Sequence, residues 1–268
     1  MNNSDQNVLL PAERQKDIYQ YMMRHNSAKV NELAQIFKVS DMTIRRDLEE
    51  LEKRKLVVRT HGGAILAEDM TRDLNVEERE VQQLDKKKRM AAKAKEFVEE
   101  GDLLALDAST SAAELAKLLY DVPNLTVVTN SLLVANIVQS YENLTLVLCG
   151  GIMRKEARSF IGPLAELSLS KLNFTKAFFS CNAIHPVKGM TDTNVFEITM
   201  KQLMIKRSKQ AYALIDSSKF NKVAFSQVCP FADIAAVITD DGLDEEINDQ
   251  YRQREIPVIL APPATESG

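Results

Sequence analysis

Four segments of the chain end an aliphatic run in a cluster of hydroxyl, amide or charged side chains. Asp107, Ser109, Thr110 and Ser111 follow Leu103-Leu104-Ala105-Leu106, and Thr129, Asn130 and Ser131 close the run that begins at Leu125. Cys149, Gly150 and Gly151, with Arg154 close behind, follow Leu144 to Leu148, and Asp216, Ser217, Ser218 and Lys219 follow Ala211 to Ile215. Hydroxyls, a glycine pair that bares backbone N–H groups, a helix start and a lysine are what a phosphate monoester needs. Asp107, Asn130 and Asp216 suit the hydroxyls of a sugar. Any one loop alone reads better as a cap or turn. The repetition of one chemistry at several strand ends is what points to a phosphosugar pocket.

A different chemistry lies near the start, in "FKVSDMTIRRDL". Lys38 and Val39 make a tight turn, and Ser40 is a good N-cap for the helix that follows. Ile44, Leu48 and Leu51 take the buried face, which leaves Thr43, Arg45 and Arg46 on or near the exposed one. Arginine in the first two turns of a capped helix can reach guanine edges or phosphates in a DNA major groove. The segment "LVVRTHGGAIL" then reads as strand, Gly-Gly turn, strand, a small hairpin with Arg59, Thr60 and His61 at its tip. The competing reading is a small helical cap with a solvated Arg-Arg pair.

The elements that must position these groups follow from periodicity. Ile18, Tyr21 and Met22, then Val30, Leu33 and Phe37, then Ile44, Leu48 and Leu51 recur at helical spacing, enough for three helices around one small core. Residues 67–85 are highly charged and read as an exposed, partly helical linker. "KKKRMAAKAKEFV" resumes a helix, with Lys86, Lys87, Lys88 and Arg89 expected at its solvated start. Seven Val/Ile/Leu-rich runs then alternate with helical stretches, which predicts a mostly parallel sheet buried on both faces. In such sheets ligands sit outside the carboxyl ends of the strands.

The 268 residues give room for two domains, and 45% hydrophobic with 27% charged residues is ordinary for a folded soluble protein. No apolar run is long enough to span a bilayer, and the polar start "MNNSDQN" has no signal-peptide core, so a cytoplasmic location is expected. Cys149, Cys181 and Cys229 are too scattered for a disulfide framework or a zinc site, and neither metal nor cofactor is expected. Between residues 11 and 66, eleven Lys/Arg face eight Asp/Glu, so that segment carries +3 and the remainder −7. A mildly basic head on an acidic body hints at nucleic acid.

The run "VSDMTIRRDLEELEKRKLVVRTHGGA" closely resembles the signature of the DeoR family of bacterial transcription regulators. By that resemblance Ser40, Met42, Thr43, Arg45 and Arg46 belong to the recognition helix, and Arg59, His61, Gly62 and Gly63 to the wing. The likeness extends over nearly the whole chain, about residues 11–261. "TVVTNS", "GGIMR", "SFIGPLAE", "DSSKF" and "ITDDGL" look like segments of the family's C-terminal sensor domain, which is related in fold to ribose-5-phosphate isomerase and the CoA-transferases and typically binds a phosphorylated sugar. Glu197 and Lys201, in "FEITMK", match a family Glu/Lys pair near the ligand site, although their spacing is also that of a surface salt bridge.

Two departures from the family pattern carry information. Asp107-Ala108-Ser109-Thr110-Ser111 stands where Asp-Ser-Gly-Thr-Thr is usual, and Ser180-Cys181-Asn182-Ala183 where Gly-Ala-Asp-Gly is usual. Losing the glycine puts a side chain where backbone would approach the ligand. These variants resemble the subgroup that answers to deoxyhexose catabolism, which implies a ketose 1-phosphate such as rhamnulose or fuculose 1-phosphate.

The resemblance thus implies a winged helix-turn-helix domain at 11–66, the linker at 67–85, and a Rossmann-like, mostly parallel α/β sensor and oligomerisation domain at 86–262. Its implied partners are operator DNA, a phosphorylated sugar and further copies of the chain, with repression relieved by ligand as the family's commoner habit. The effector residues expected are Asp107, Ser109, Thr110, Ser111, Thr129, Asn130, Gly150, Gly151, Arg154, Glu197, Lys201, Asp216 and Lys219, and no catalytic residue is expected. The alternative is an isomerase- or transferase-like enzyme fused to a DNA-binding head, with Asp107, Glu197, Lys219 and His185 as acid/base candidates. No histidine-centred triad is evident, and Cys181 suits packing better than nucleophilic attack. A third reading is an interaction scaffold with a vestigial pocket.

Overall fold

The computed structural model describes residues 11–25, 27–53, 56–60, 62–66 and 75–263. The chain divides into two compact units, residues 1–69 with 80–83 and residues 70–79 with 84–268.

In the first unit α1 (Pro11–His25), α2 (Val30–Phe37) and α3 (Asp41–Lys53) enclose a core of Ile18, Met22, Leu33, Ile44, Leu48 and Leu51. The short strand β1 (Ser27–Lys29) precedes α2, and β2 (Val57–Thr60) and β3 (Gly63–Leu66) follow α3. The expected two-stranded hairpin is therefore a three-stranded sheet of order β1-β3-β2. Gly63 makes this possible, because a Cβ there would lie 2.0 Å from the carbonyl oxygen of Ala28. Three residues of β1 carry too little periodicity to be read from sequence.

α4 (Val76–Val81), whose Val76 is buried, belongs to the second unit as far as Arg79, and α5 (Leu84–Lys95) lies wholly within it. Then follow β4 (Leu103–Leu106), α6 (Thr110–Ala116), β5 (Leu125–Thr129), α7 (Leu132–Val138), β6 (Leu144–Leu148), β7 (Ile152–Arg154), β8 (Ser159–Ile161), α8 (Pro163–Ser170) and β9 (Phe174–Phe179). The remainder is β10 (Ala183–His185), β11 (Gly189–Asp192), α9 (Val195–Lys206), β12 (Ser208–Leu214), β13 (Ser226–Cys229), β14 (Ala236–Thr239), α10 (Glu245–Arg252) and β15 (Val258–Leu260). The main sheet has seven parallel strands in the order β15-β14-β12-β9-β4-β5-β6. Each corresponds to one of the seven aliphatic runs.

Period-two alternation explains why those runs are apolar throughout. Leu104, Leu106, Phe178, Tyr212, Leu214 and Ile238 face one core with α5, α6 and α7. Ala105, Ala177, Phe179, Ala213 and Val237 face the other with α8, α9 and α10. Two smaller antiparallel sheets, β7-β8 and β10-β11-β13, lie outside the aliphatic pattern. From β4 the chain winds outward through β5 and β6, then returns to β9 on the other side of β4. The topological switch point is thus between β4 and β9, where ligand crevices form in such sheets. No helix among the described residues is long and apolar enough to cross a membrane.

Candidate functional site

The start of α3 is built as its sequence demands. Lys38 takes the left-handed backbone (φ 53°) that ends α2. Ser40 then caps α3: its Oγ accepts from Thr43 N at 3.2 Å, and its carbonyl accepts from Thr43 N and Ile44 N. Burial of Ile44, Leu48 and Leu51 turns Ser40, Met42, Arg45 and Arg46 outward, with Thr43 half-buried. Among the described residues neither the Arg45 nor the Arg46 guanidinium has a partner within the chain. On the wing Arg59 and Gly62 are exposed, and the Arg59 N–H donates to Glu52 Oε1 at 3.0 Å. His61 lies outside the described residues.

One polar contact in this unit escaped the sequence reading. Asp47, on α3 beside those arginines, is buried and accepts from Arg14 Nε at 2.6 Å and Gln15 Nε2 at 3.1 Å, both on α1. Asp47 follows Arg46 at the turn from exposed to buried face, so a signal existed: a charged residue on the core side of a helix needs a partner.

In the second unit the switch point carries the densest polar network. Asp107, at the end of β4, accepts from Ser109 N and Ser109 Oγ through Oδ1, and from Ser180 N at 3.2 Å and Lys201 Nζ at 2.8 Å through Oδ2. Lys219 reaches Ser180 Oγ at 3.3 Å and Asp216 Oδ2 at 3.6 Å. Asp107, Ser109, Lys201, Asp216 and Lys219 are therefore joined in one chain of contacts through Ser180. Burial opposes the charge on Lys201, but the carboxylates of Asp107, Asp192 and Glu197 outweigh it and hold its pKa above the usual lysine value. Burial likewise opposes the charge on Asp216, yet Lys219, the Ser218 hydrogen bond and Lys87 hold its pKa below the carboxylate range.

Glu197 and Lys201 do not make the i, i+4 surface pair that their spacing allows. Both are buried. Glu197 accepts from Ser159 Oγ and from Arg154 Nη1 at 2.7 Å, while Lys201 turns to Asp107. Asn130 donates to the Phe160 carbonyl at 3.0 Å, and its buried Oδ1 has no partner. Thr129 is engaged locally, its hydroxyl donating to the Leu106 carbonyl and accepting from Ser131 N. Ser109 caps α6, and the Thr110 hydroxyl reaches the Arg79 carbonyl at 3.3 Å. Ser111 is buried on the same turn. Gly150 is open to solvent, whereas Gly151 is required by packing: a Cβ there would lie 2.6 Å from the Ile161 carbonyl oxygen.

The largest departure concerns "KKKR". Lys87 is only 5% exposed, and its Nζ donates to the Arg79 carbonyl. Burial, reinforced by the neighbouring Lys219 charge, pulls its pKa down to about 7. Lys86 reaches Ser217 Oγ at 2.7 Å and Asp240 Oδ1 at 3.2 Å, and Arg89 pairs with Asp241. Of the expected solvated helix start Lys88 is exposed, while Lys86, Lys87 and Arg89 turn inward. Arg79 itself carries buried Nε and Nη2 atoms without a partner. Sequence reasoning missed Arg79, Lys87 and Asp192, since nothing local marks which face of a charged helix is inward. A glycine is needed even here, for a Cβ on Gly242 would lie 2.8 Å from Asp240 Oδ1.

A capped helix with outward arginines and a wing, followed by a parallel sheet with polar strand ends, matches two family models in tandem: the DeoR-like helix-turn-helix domain over residues 14–70 and the DeoR C terminal sensor domain over residues 82–241. The chain belongs to the DeoR family. This DeoR-family regulator is 39% identical to the HTH-type transcriptional regulator YulB of Bacillus subtilis, over 95% of this chain and 98% of that one. It is 33% identical to the L-fucose operon activator of Haemophilus influenzae, over 92% and 99% of the two chains. Among solved structures it is similar to ribose 5-phosphate isomerase A from Methanocaldococcus jannaschii, with 16% identity over 51% of this chain and 54% of the other and a TM-score of 0.39. The family makes the regulator a DNA-binding protein with a small-molecule sensor domain.

Proposed function

We propose that this regulator represses a carbohydrate catabolic operon and is released from its operator when a phosphorylated sugar binds at the strand ends. The observation that carries the reading is the burial of Lys87 beside Lys219, together with the unpartnered buried guanidinium nitrogens of Arg79. A buried ammonium whose hydrogen bond goes to a backbone carbonyl, beside guanidinium nitrogens that lack an acceptor, is costly until an anion joins them. A phosphate there accepts from Arg79, Lys87 and Lys219, with the Thr110 and Ser111 hydroxyls beside it. Asp107, Asn130 and Lys201 then face the sugar hydroxyls, Asn130 Oδ1 supplying a free acceptor. Gly150, Gly151, Arg154 and Glu197 form the far wall.

Among sugar phosphates we infer a deoxyketose 1-phosphate, such as rhamnulose or fuculose 1-phosphate. Ala108 and Ala183 bring methyl groups to the loops around Asp107 and Ser180, where hydroxyl or backbone groups would favour a fully hydroxylated sugar. The likeness to a regulator named for an L-fucose operon points the same way. Operator contacts fall to Ser40, Met42, Thr43, Arg45 and Arg46, with Arg59, His61 and Gly62 on the wing. Control requires that the effector bind the two functional states of the regulator unequally.

The test is a thermal-shift titration with rhamnulose 1-phosphate, fuculose 1-phosphate and their free sugars, followed by operator release at the same concentrations. A phosphate-dependent rise in Tm that grows with concentration is expected. Equal stabilisation by the free sugars would overturn the phosphate grip, and steady turnover of a sugar phosphate would make the body an enzyme.

A further inference from the structure

The two outer edges of the seven-stranded sheet are finished differently. β15 is three residues long and is bracketed by Pro257, Pro262 and Pro263, which cannot donate to a neighbouring strand. β6 has no such guard, and the stretch from 144 to 153, "LTLVLCGGIM", holds neither a proline nor a charged residue. Cys149 N donates to the Thr129 carbonyl at 2.8 Å. In a parallel ladder residues alternate in direction, so Thr145 and Val147 also face β5, while Leu144, Leu146 and Leu148 present their N–H and C=O groups outward.

Apolar side chains continue from that edge. Val147 and Leu148 on β6, Ile152 on β7, and Leu164 and Leu167 on α8 are exposed, Leu164 to 69%. The two parts are in register, since the Ile152 side chain packs at the start of α8, 3.3 Å from where a Cβ on Gly162 would stand. Proteins normally blunt or cover an edge of this kind.

We propose that this face joins two copies of the chain, with β6 pairing antiparallel to the β6 of the second copy about a two-fold axis and Ile152, Leu164 and Leu167 closing over the seam. An isologous contact sets each surface against itself. An uncharged strand meets that condition, because no like charges are brought into opposition. A nucleic acid would need basic residues that the segment lacks, whereas another strand pairs with a row of open backbone groups and needs no charge. The proline-guarded β15 edge limits growth to a closed pair rather than a fibre. The assignment does not depend on the effector reading, and either can fail alone.

Sedimentation velocity on the full chain tests it. The wild type is expected to associate at micromolar concentration, and Val147→Lys, Ile152→Glu and Leu167→Glu are each expected to weaken that association roughly a hundredfold. Phe225→Glu, at an exposed apolar residue just before β13, should leave it unchanged. A spin label on exposed Thr145 of an otherwise native chain should sense a second label close by. A wild type that stays single, variants that fold and still associate, or a Thr145 label with no near partner would each overturn the proposal.

Discussion

The two units hold the same kind of side chain in opposite ways. On α3, Arg45 and Arg46 stand outward on a helix whose buried face is wholly apolar but for Asp47. In the body, Lys87, Lys201 and Lys219 turn inward onto strand ends, where Lys201 and Lys219 meet Asp107 and Asp216 and Lys87 donates to a backbone carbonyl. A large polyanion can be met by exposed cations, since DNA brings its own extended charge to the surface. A small anion must be enclosed, and enclosure makes each cation costly until the ligand arrives. On the proposed reading the same residue type serves two ligands of very different size, and burial decides which.

The comparison can be broken first at α3. Changing Arg45 and Arg46 together to Ala should weaken operator binding by roughly a hundredfold or more. The thermal shift produced by the body's ligand should stay as in the wild type. Fluorescence anisotropy on a labelled operator fragment reads the first quantity, and loss of both would show that the two functions share residues.

Asp47 is the exception inside the head, and its removal sharpens the contrast. Asp47→Ala removes the buried acceptor of Arg14 Nε and Gln15 Nε2 and should destabilise the head by about 3 kcal/mol. Urea unfolding followed by head-specific and body-specific probes should show the early transition in the head alone.

The smallest effect is a pH dependence in the body. The pKa of Lys87 lies near 7 in the folded chain against an ordinary 10.5, so the empty site sheds this proton as pH rises past 7. Binding a phosphate must recapture it, and effector affinity should fall several-fold between pH 7 and 9. The penalty for burying a charged Lys87 acts below pH 7 and fades as pH rises, so stability moves the other way. Lys87→Arg stays charged throughout and should flatten the affinity profile in calorimetric titrations. A wild-type profile that is already flat would mean that Lys87 does not meet the ligand.

Legibility followed the range of the interaction. The Ser40 cap and the three apolar faces of the head rest on contacts within a few residues, and these could be read directly. The inner strands announced themselves because both their faces are largely buried, and the edge strands β6 and β15 because they stay apolar although partly exposed. β1, the β7-β8 hairpin and the β10-β11-β13 sheet are short and partly exposed, so their pattern is too brief to distinguish from loop. Glu197 and Lys201 show the limit most clearly. Their spacing suggested one pair, yet each found a partner far away in sequence, at Ser159 and Asp107.

The amino-acid sequence by itself determined the family, the seven aliphatic strands and the outward arginines of α3, because periodicity and capping act over a turn or a strand. Only the tertiary structure decided which charges face inward. The chain's return from β6 to β9 sets Ser180 beside Asp107, and α5 packs so that Lys87 points at the strand ends rather than at water. A lysine carries the same local signature in either place. Which way it turns is settled by the distant groups that close around it.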